Sequence, residues 1–320
     1  MINFLTEPDH SFRPERETSE AIRVIRPLLI LFMMLAHVYA LDSARILASA
    51  LPMSFENWFT VYLKSVLAKT GVPLLSLISG YLAVYSLRRY GYLKLLARKT
   101  RRLIWPMIWA NLLFILLVTY PGQAADSAYR SDLSIYPFDL YGWFQATFAF
   151  YRLPANQPMF FLKDLFTCFL LLPLLVGVAR IRYLNLLVIP WMAWKCVYLK
   201  TALIFHIYPV WFLRFDIVFA FYLGILLFVH SKDLKIESRS LRLASMALFP
   251  LAGGMTAIFY VGFSQADQRD FFLWLDFAVK VISVLGCVSI MSWLVTSPGV
   301  VSRFLTWLSP YSYSMFLIHA

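Results

Sequence analysis

Apolar residues in this chain come in blocks as long as a membrane-crossing helix, and that spacing constrains the fold more than any other feature. After a polar tail (residues 1–22), the blocks fall at 27–41, about 60–86, 103–120, 159–178, 184–205, 209–230, 241–262 and 272–296, with a last one starting near 304. Each complete block approaches the ~20 residues that carry an α-helix across the bilayer hydrocarbon. The short alternating segments of a transmembrane β-barrel are missing. Hydrophobic residues make up 61% of the 320 and charged ones only 14%. A soluble domain is about 25% charged, so a water-soluble enzyme, a disordered chain and a fibrous protein are all excluded. The expected fold is all-α, a polytopic transmembrane helical bundle.

Charge predicts its orientation. Of the 29 Lys and Arg residues, 18 fall in the tail and its junction with the first block, and in 86–102, 179–183, 230–242 and 297–303. Five (Arg45, Arg130, Arg152, Lys200, Arg269) fall in or beside the alternate loops, and the other six lie within blocks. Positive charge collects on cytoplasmic loops, which predicts a cytoplasmic amino terminus. The same rule accounts for the net charge of +12 without a nucleic-acid partner. The tail carries Glu7, Asp9, Glu15, Glu17 and Glu20 and precedes what reads as a retained helix, which argues against a cleaved signal peptide. The longest extramembrane stretch, 121–158, is expected to face outward, its aromatic part 141–151 forming an interfacial or re-entrant helix. Cys168, Cys196 and Cys287 sit inside apolar blocks as small core residues, and the five His residues are scattered, so no metal site is expected.

An ionisable residue inside a bilayer is costly and is therefore a functional candidate. The first block carries Arg26 at its inner end and His37 well inside it. Eleven residues of α-helix put the two on one face about 16 Å apart, so they cannot touch each other but can both touch one long ligand. Arg26 is alternatively a topological anchor, and His37 a packing histidine bonded to a carbonyl. An imidazole, with an unperturbed pKa near 6.5, is also the natural proton acceptor near neutral pH. The loop 86–102, "SLRRYGYLKLLARKTRR", holds seven cations and no acid. That is more than topology needs, and either anionic lipid headgroups or a soluble polyphosphate ligand would use the surplus. Lys163 with Asp164, Arg214 with Asp216, and Asp276 with Lys280 read as local neutralising pairs, only the last having i, i+4 spacing. Lys195 has no local partner in the sequence, and Gly80 in "LSLISGYL" allows close helix approach.

These residues resemble a family. "RVIRPLLILFMMLAHVYA" has an Arg, ten intervening residues and a His in the first span, as in the acyltransferase-3 family of membrane O-acyltransferases. "LISGYL", "RKTRRLIWP", "PMFFLKDLF" and "LSPYSYSMFLIH" follow in the family's order, with Phe316 where the closing signature usually has Tyr. The resemblance runs from residue 20 to 319 and is similar to the branch acting on bacterial cell-surface polysaccharides. The blocks count nine spans and the family core has about ten, so nine to ten are expected. The last stops at Ala320, about ten residues past Pro310 and too short to finish a helix, so the sequence reads as a fragment of a longer protein. The resemblance also implies a tail at 1–22 and one transmembrane acyltransferase domain at 23–320, in the cell inner membrane.

The activity the resemblance implies is transfer of an acyl group from cytoplasmic acyl-CoA (acetyl-CoA by default, succinyl as the other option) to a hydroxyl of an envelope glycan. His37 matches the catalytic His and Arg26 its partner. Lys99 and Arg102 match the family's basic pair, Arg98 and Arg101 being the alternative register. Direct transfer with His37 as general base and passage through an acyl-histidine both remain open. The competing reading is a transporter or flippase of a polar envelope precursor, which would use the same buried charges as a pathway.

Overall fold

The computed structural model describes residues 16–35, 54–63, 68–126, 135–148, 154–198, 213–230, 240, 243, 246–248, 251–255, 269–296 and 299–318. Regular structure among these residues is entirely helical. The helices are α1 (Arg16–Leu35), α2 (Phe55–Tyr62), α3 (Ala68–Tyr90), α4 (Tyr92–Ala125), α5 (Leu140–Phe148), α6 (Phe160–Leu170), α7 (Leu172–Ala179), α8 (Arg182–Tyr198), α9 (Phe215–His230), α10 (Arg269–Thr296), α11 (Val300–Leu308) and α12 (Ser312–Ile318). Three stretches among the described residues are long and apolar enough to cross a membrane: Thr70–Tyr90, Tyr92–Ala125 and Leu273–Thr296. A fourth follows if the bent pair α6–α7 is one span. The expected count of nine to ten also draws on 36–53, 199–212 and most of 231–268, which lie outside the described residues.

The core is built on α3, with α1 on one side and α9 on another. Ile25 and Leu29 of α1, Leu74, Tyr81 and Leu87 of α3, and Phe221, Tyr222 and Ile225 of α9 are all fully buried in one apolar cluster. Two glycines allow this. Gly80 lies against the Phe221 backbone, and Gly224 against the backbone of Leu77 and Tyr81, so a Cβ at either position would overlap main-chain atoms. Tyr85 then meets Phe228 edge-on at 4.6 Å, and the order of these contacts makes α3 and α9 parallel. The sequence expectation for Gly80 is met, and it has a partner on the facing helix.

Two local features depart from expectation. The basic stretch 86–102, read as a loop, is helical on both sides of a single corner. Gly91 makes that corner at φ 70, a backbone conformation that a side chain strongly disfavours. The block 159–178 is broken by 61° between α6 and α7, next to Pro173, which has no N–H to continue the helical ladder. Of the stretch 141–151, expected to form an interfacial or re-entrant helix, residues up to 148 are described and are helical, as α5. It is tied to α4 by Asn111, whose side chain donates to the Thr147 carbonyl at 2.7 Å and accepts from the Asn156 N–H at 3.2 Å. Hydroxyls within the apolar helices return to their own backbone. Ser76, Ser283 and Ser292 donate to the carbonyl four residues earlier at 2.8, 2.8 and 3.1 Å, which satisfies them where water is excluded. The three cysteines are buried and form no disulfide among the described residues.

Replacing Gly80 by Leu is expected to drive α3 and α9 apart and cost ~3 kcal/mol or more, the upper range for overpacking. Gly177→Leu, at a position with open space around it, should be tolerated. The thermal midpoint of each purified variant in detergent checks this, and equal midpoints would refute the close α3–α9 contact.

Candidate functional site

α1 buries Ile22, Ile25 and Leu29 but leaves Arg26 exposed beside them. Pro27 follows directly and removes a backbone donor from the helix interior. α4 brings the basic residues to the same place. The Gly91 corner starts it, and the Tyr92 hydroxyl donates to the Leu170 carbonyl at 2.9 Å, fixing its first turn on α6. Over Thr100–Ile104 the helix widens into a π turn, which changes the angular phase of the residues beyond it.

The outcome is that Lys99 and Arg102 gather with Arg26: the charges of Arg102 and Arg26 both act on the Lys99 ammonium. The Lys99 Nζ sits 4.2 Å from the centre of the Phe169 ring on α6, a cation–π contact. The Arg102 carbonyl accepts a hydrogen bond from the Tyr313 hydroxyl of α12 at 2.6 Å. Among the described residues none of Arg26, Lys99 and Arg102 forms a salt bridge with a carboxylate. Three like charges held together by separate elements repel one another, and an anion placed among them relieves that repulsion.

The other two predicted cations point elsewhere. Arg98 lies over the Tyr90 ring at 3.9 Å. Arg101 lines an outward depression of about 590 Å³ with Ala97, Thr100, Trp105 and Trp109. The structure therefore joins Lys99 and Arg102 to Arg26 and separates Arg98 and Arg101 from them. His37 lies outside the described residues, as do His10, His206 and His319. His230 is described, with its Nε2 3.0 Å from the Ala179 carbonyl oxygen. Tyr313 and Phe169 are site neighbours that the residue-by-residue reading did not single out. The signal for Tyr313 was its place in the closing motif, and Phe169 carried none.

The paired charges are found as expected. Lys163 and Asp164 form a salt bridge at 3.3 Å with almost no exposure (1% and 0%). Asp164 also accepts from the Arg214 N–H at 3.3 Å. Arg214 grips both oxygens of Asp216 at 3.1 and 2.5 Å. Asp276 and Lys280 meet at 3.3 Å on one face of α10. Lys195 lies over the Trp194 ring at 4.7 Å. Among the described residues no group of three His, Cys, Asp or Glu side chains could hold a metal ion.

Comparison with known proteins adds one family. The family model described as an acyltransferase domain, acyltransferase-3, matches residues 19–320. The chain belongs to this family. Among curated proteins, an acyltransferase-3 chain of this kind is similar to the succinoglycan biosynthesis protein ExoH of Rhizobium meliloti (strain 1021). The two are 31% identical over 254 residues, which cover 78% of this chain and 63% of ExoH. The chain thus spans less than two thirds of the relative it matches. No solved structure matches. Within the acyltransferase-3 chain, the motif residues Arg26 and Arg102 are close enough for their charges to act on Lys99, and Tyr313 of the closing motif bonds to the Arg102 carbonyl.

Lys163→Met would leave Asp164 charged and fully enclosed, with an expected loss of ~3 kcal/mol or more. The double change Lys163→Met with Asp164→Leu removes both charges and should recover part of that loss. Unfolding midpoints of the three proteins in a mixed-detergent SDS titration test the coupling. A double variant no better than the single one would show that the two charges do not depend on each other.

Proposed function

We propose that the chain is an integral membrane O-acyltransferase that moves an acyl group, acetyl by default, from cytoplasmic acyl-CoA to a hydroxyl of a cell-envelope or exported polysaccharide. The observation that carries the reading is the convergence of Arg26, Lys99 and Arg102, three cations from two helices with no described carboxylate to neutralise them. A CoA donor is polyanionic at one end and carries its thioester on a long arm at the other. Its phosphates suit the Lys99–Arg102 end, with Arg98 and Arg101 as the alternative pair, and its arm suits the α1 face above Arg26. Eleven residues of helix rise ~16 Å from Arg26 to His37. His37 at that height takes the proton from the acceptor hydroxyl as its oxygen bonds to the thioester carbonyl carbon. The carbon–sulfur bond then breaks and the departing CoA sulfur takes the proton from His37. No metal enters the step.

Membership of the acyltransferase-3 family supports acyl transfer. The glycan acceptor draws support from the printed name of the relative, a succinoglycan biosynthesis protein. The membrane setting draws on the three apolar helices and on the exposed apolar face of α4, where Trp105, Trp109, Leu113 and Leu117 are each more than half exposed. The alternation of Lys and Arg along the chain supports a multi-pass protein of the cell inner membrane with a cytoplasmic amino terminus.

The decisive assay is CoA release from acetyl-CoA by the purified full-length protein, with an envelope glycan mixture as acceptor. His37→Ala is expected to lower kcat about 10²–10⁴-fold, the usual contribution of a general base. Lys99→Ala with Arg102→Ala is expected to raise KM for the donor roughly tenfold or more, as loss of charge-assisted hydrogen bonds does, with kcat less affected. Arg98→Ala with Arg101→Ala should change KM less, because those side chains are turned to Tyr90 and to Trp105. A folded protein that neither binds nor cleaves acyl-CoA would overturn the donor assignment.

A further inference from the structure

A second site lies on the far side of α9 from α6. A cavity of about 810 Å³ runs between α8, α9, α10 and the start of α3. Its walls follow α9 from Asp216 to His230, ~21 Å of helix at 1.5 Å per residue, about the length of one extended acyl tail. Between those ends the lining is aliphatic and aromatic, including Phe219, Ala220, Leu223, Leu227, Val281 and Val284. Nothing in the acyl-transfer reading uses this space.

The two ends differ in charge balance. At one end the lining charges are already matched: Asp216 is gripped by Arg214, and Lys280 is paired with Asp276. At the other end stand Arg182, Asn185 and His230. Asn185 and His230 are both turned to the Ala179 carbonyl, the amide donating at 2.9 Å and the imidazole nitrogen 3.0 Å away. Arg182 is exposed and forms no salt bridge among the described residues. Tyr183, 81% exposed, stands next to it, and an exposed Tyr beside Arg is typical of the headgroup layer of a membrane. An apolar slot with one unmatched cation at its mouth and a neutral far end fits one acyl tail beneath an anionic head.

We propose that this cavity holds an anionic phospholipid, its phosphate at Arg182 and one acyl tail laid along α9 toward Asp216 and Lys280. The site is distinct from the Arg26–Lys99–Arg102 cluster. It rests on the membrane reading given above, and it goes beyond that reading by assigning a structural lipid to a defined slot. An occupant there would hold α8 and α10 apart at a fixed spacing on α9.

The test uses the full chain reconstituted into nanodiscs of phosphatidylcholine. These are doped with a phosphatidylglycerol or a phosphatidylcholine probe carrying a photoreactive diazirine in its tail. Adducts are mapped by mass spectrometry. Phosphatidylglycerol adducts are expected on α9 at 219–227 and on α10 at 281–285, about five-fold above those of the phosphatidylcholine probe, the preference one Arg gives near an anionic headgroup. Arg182→Gln, an exposed change that should not disturb folding, should remove that preference. Leu223→Trp with Val284→Trp should remove the adducts themselves and spare those on the exposed α4 face. Adducts confined to the α4 face in the wild type, or equal labelling of the cavity by both probes, would overturn the proposal. Alkaline carbonate extraction of the membranes reads the underlying assumption separately. A chain released by carbonate defeats the membrane reading, whereas a chain that stays embedded with an unlabelled cavity defeats only the lipid site.

Discussion

A charge enclosed by apolar helices must be matched, because the interior cannot screen it as water does and an unmatched ion loses its hydration for nothing. The three carboxylates described deep in the helices obey this: Asp164 meets Lys163, Asp216 meets Arg214, and Asp276 meets Lys280. Arg26, Lys99 and Arg102 are a different set: Arg26 and Arg102 are exposed and Lys99 is half-buried. The charges of Arg26 and Arg102 both act on Lys99, and none of the three has a salt bridge with a described carboxylate. Their mutual repulsion is borne by the fold, which holds α1 and α4 in place. The contrast between matched and unmatched groups is drawn by contacts rather than by residue type, and it is what sets the proposed binding charges apart from the structural ones.

The elements held in place share one frame. Gly80 and Gly224 let α3 and α9 touch through their backbones, and Gly71 lets the start of α3 approach Leu29 and Met33 of α1. Small residues at helix crossings are the usual way to gain dispersion contacts where apolar surroundings remove the hydrophobic drive. With α1 fixed on α3, Arg26 has a fixed position. α3 ends at Tyr90, and Gly91 turns the chain so that the basic start of α4 returns toward α6. α12 then closes over the same region, with Phe316 packed edge-on to Phe161 and Tyr313 bonded to the Arg102 backbone. Four motifs spread between Arg26 and Phe316 are thus brought together by two glycine-mediated crossings and one glycine corner.

Much of this was legible beforehand. The i, i+4 spacing of Asp276 and Lys280 dictates their pairing, and the sparse charges in long apolar blocks dictate helices. Gly80 announced a close crossing but could not name Phe221, because a facing helix some 140 residues on is invisible to local spacing. The choice between Lys99–Arg102 and Arg98–Arg101 was also beyond the sequence. Both pairs have the same i, i+3 spacing, so the sequence cannot say which of them faces α6, and the π turn at Thr100–Ile104 that shifts the phase beyond it has no composition of its own. The break between α6 and α7 was half-legible: Pro173 marks where the ladder is interrupted, but whether it ends in a bend of 61° depends on how the flanking turns pack. His37, the proposed proton acceptor, is a sequence assignment, as it lies outside the described residues.

The basic start of α4 presents its cations in more than one direction. Seven cations in seventeen residues would all serve as headgroup anchors if they lay on one face. Instead Arg101 sits in a depression with Trp105 and Trp109, two half-exposed indoles of the kind that settle at a membrane interface. Lys99 lies over the Phe169 ring within reach of the Arg26 and Arg102 charges, and the Arg102 carbonyl is held by Tyr313. Successive residues of an α-helix point ~100° apart, so Arg98 and Lys99 leave α4 in different directions before the π turn begins, one to Tyr90 and the other to Phe169. The π turn then shifts the phase of the residues that follow. Neighbouring cations of one short segment therefore meet different surroundings because helical rotation separates them, and sequence distance alone does not group them.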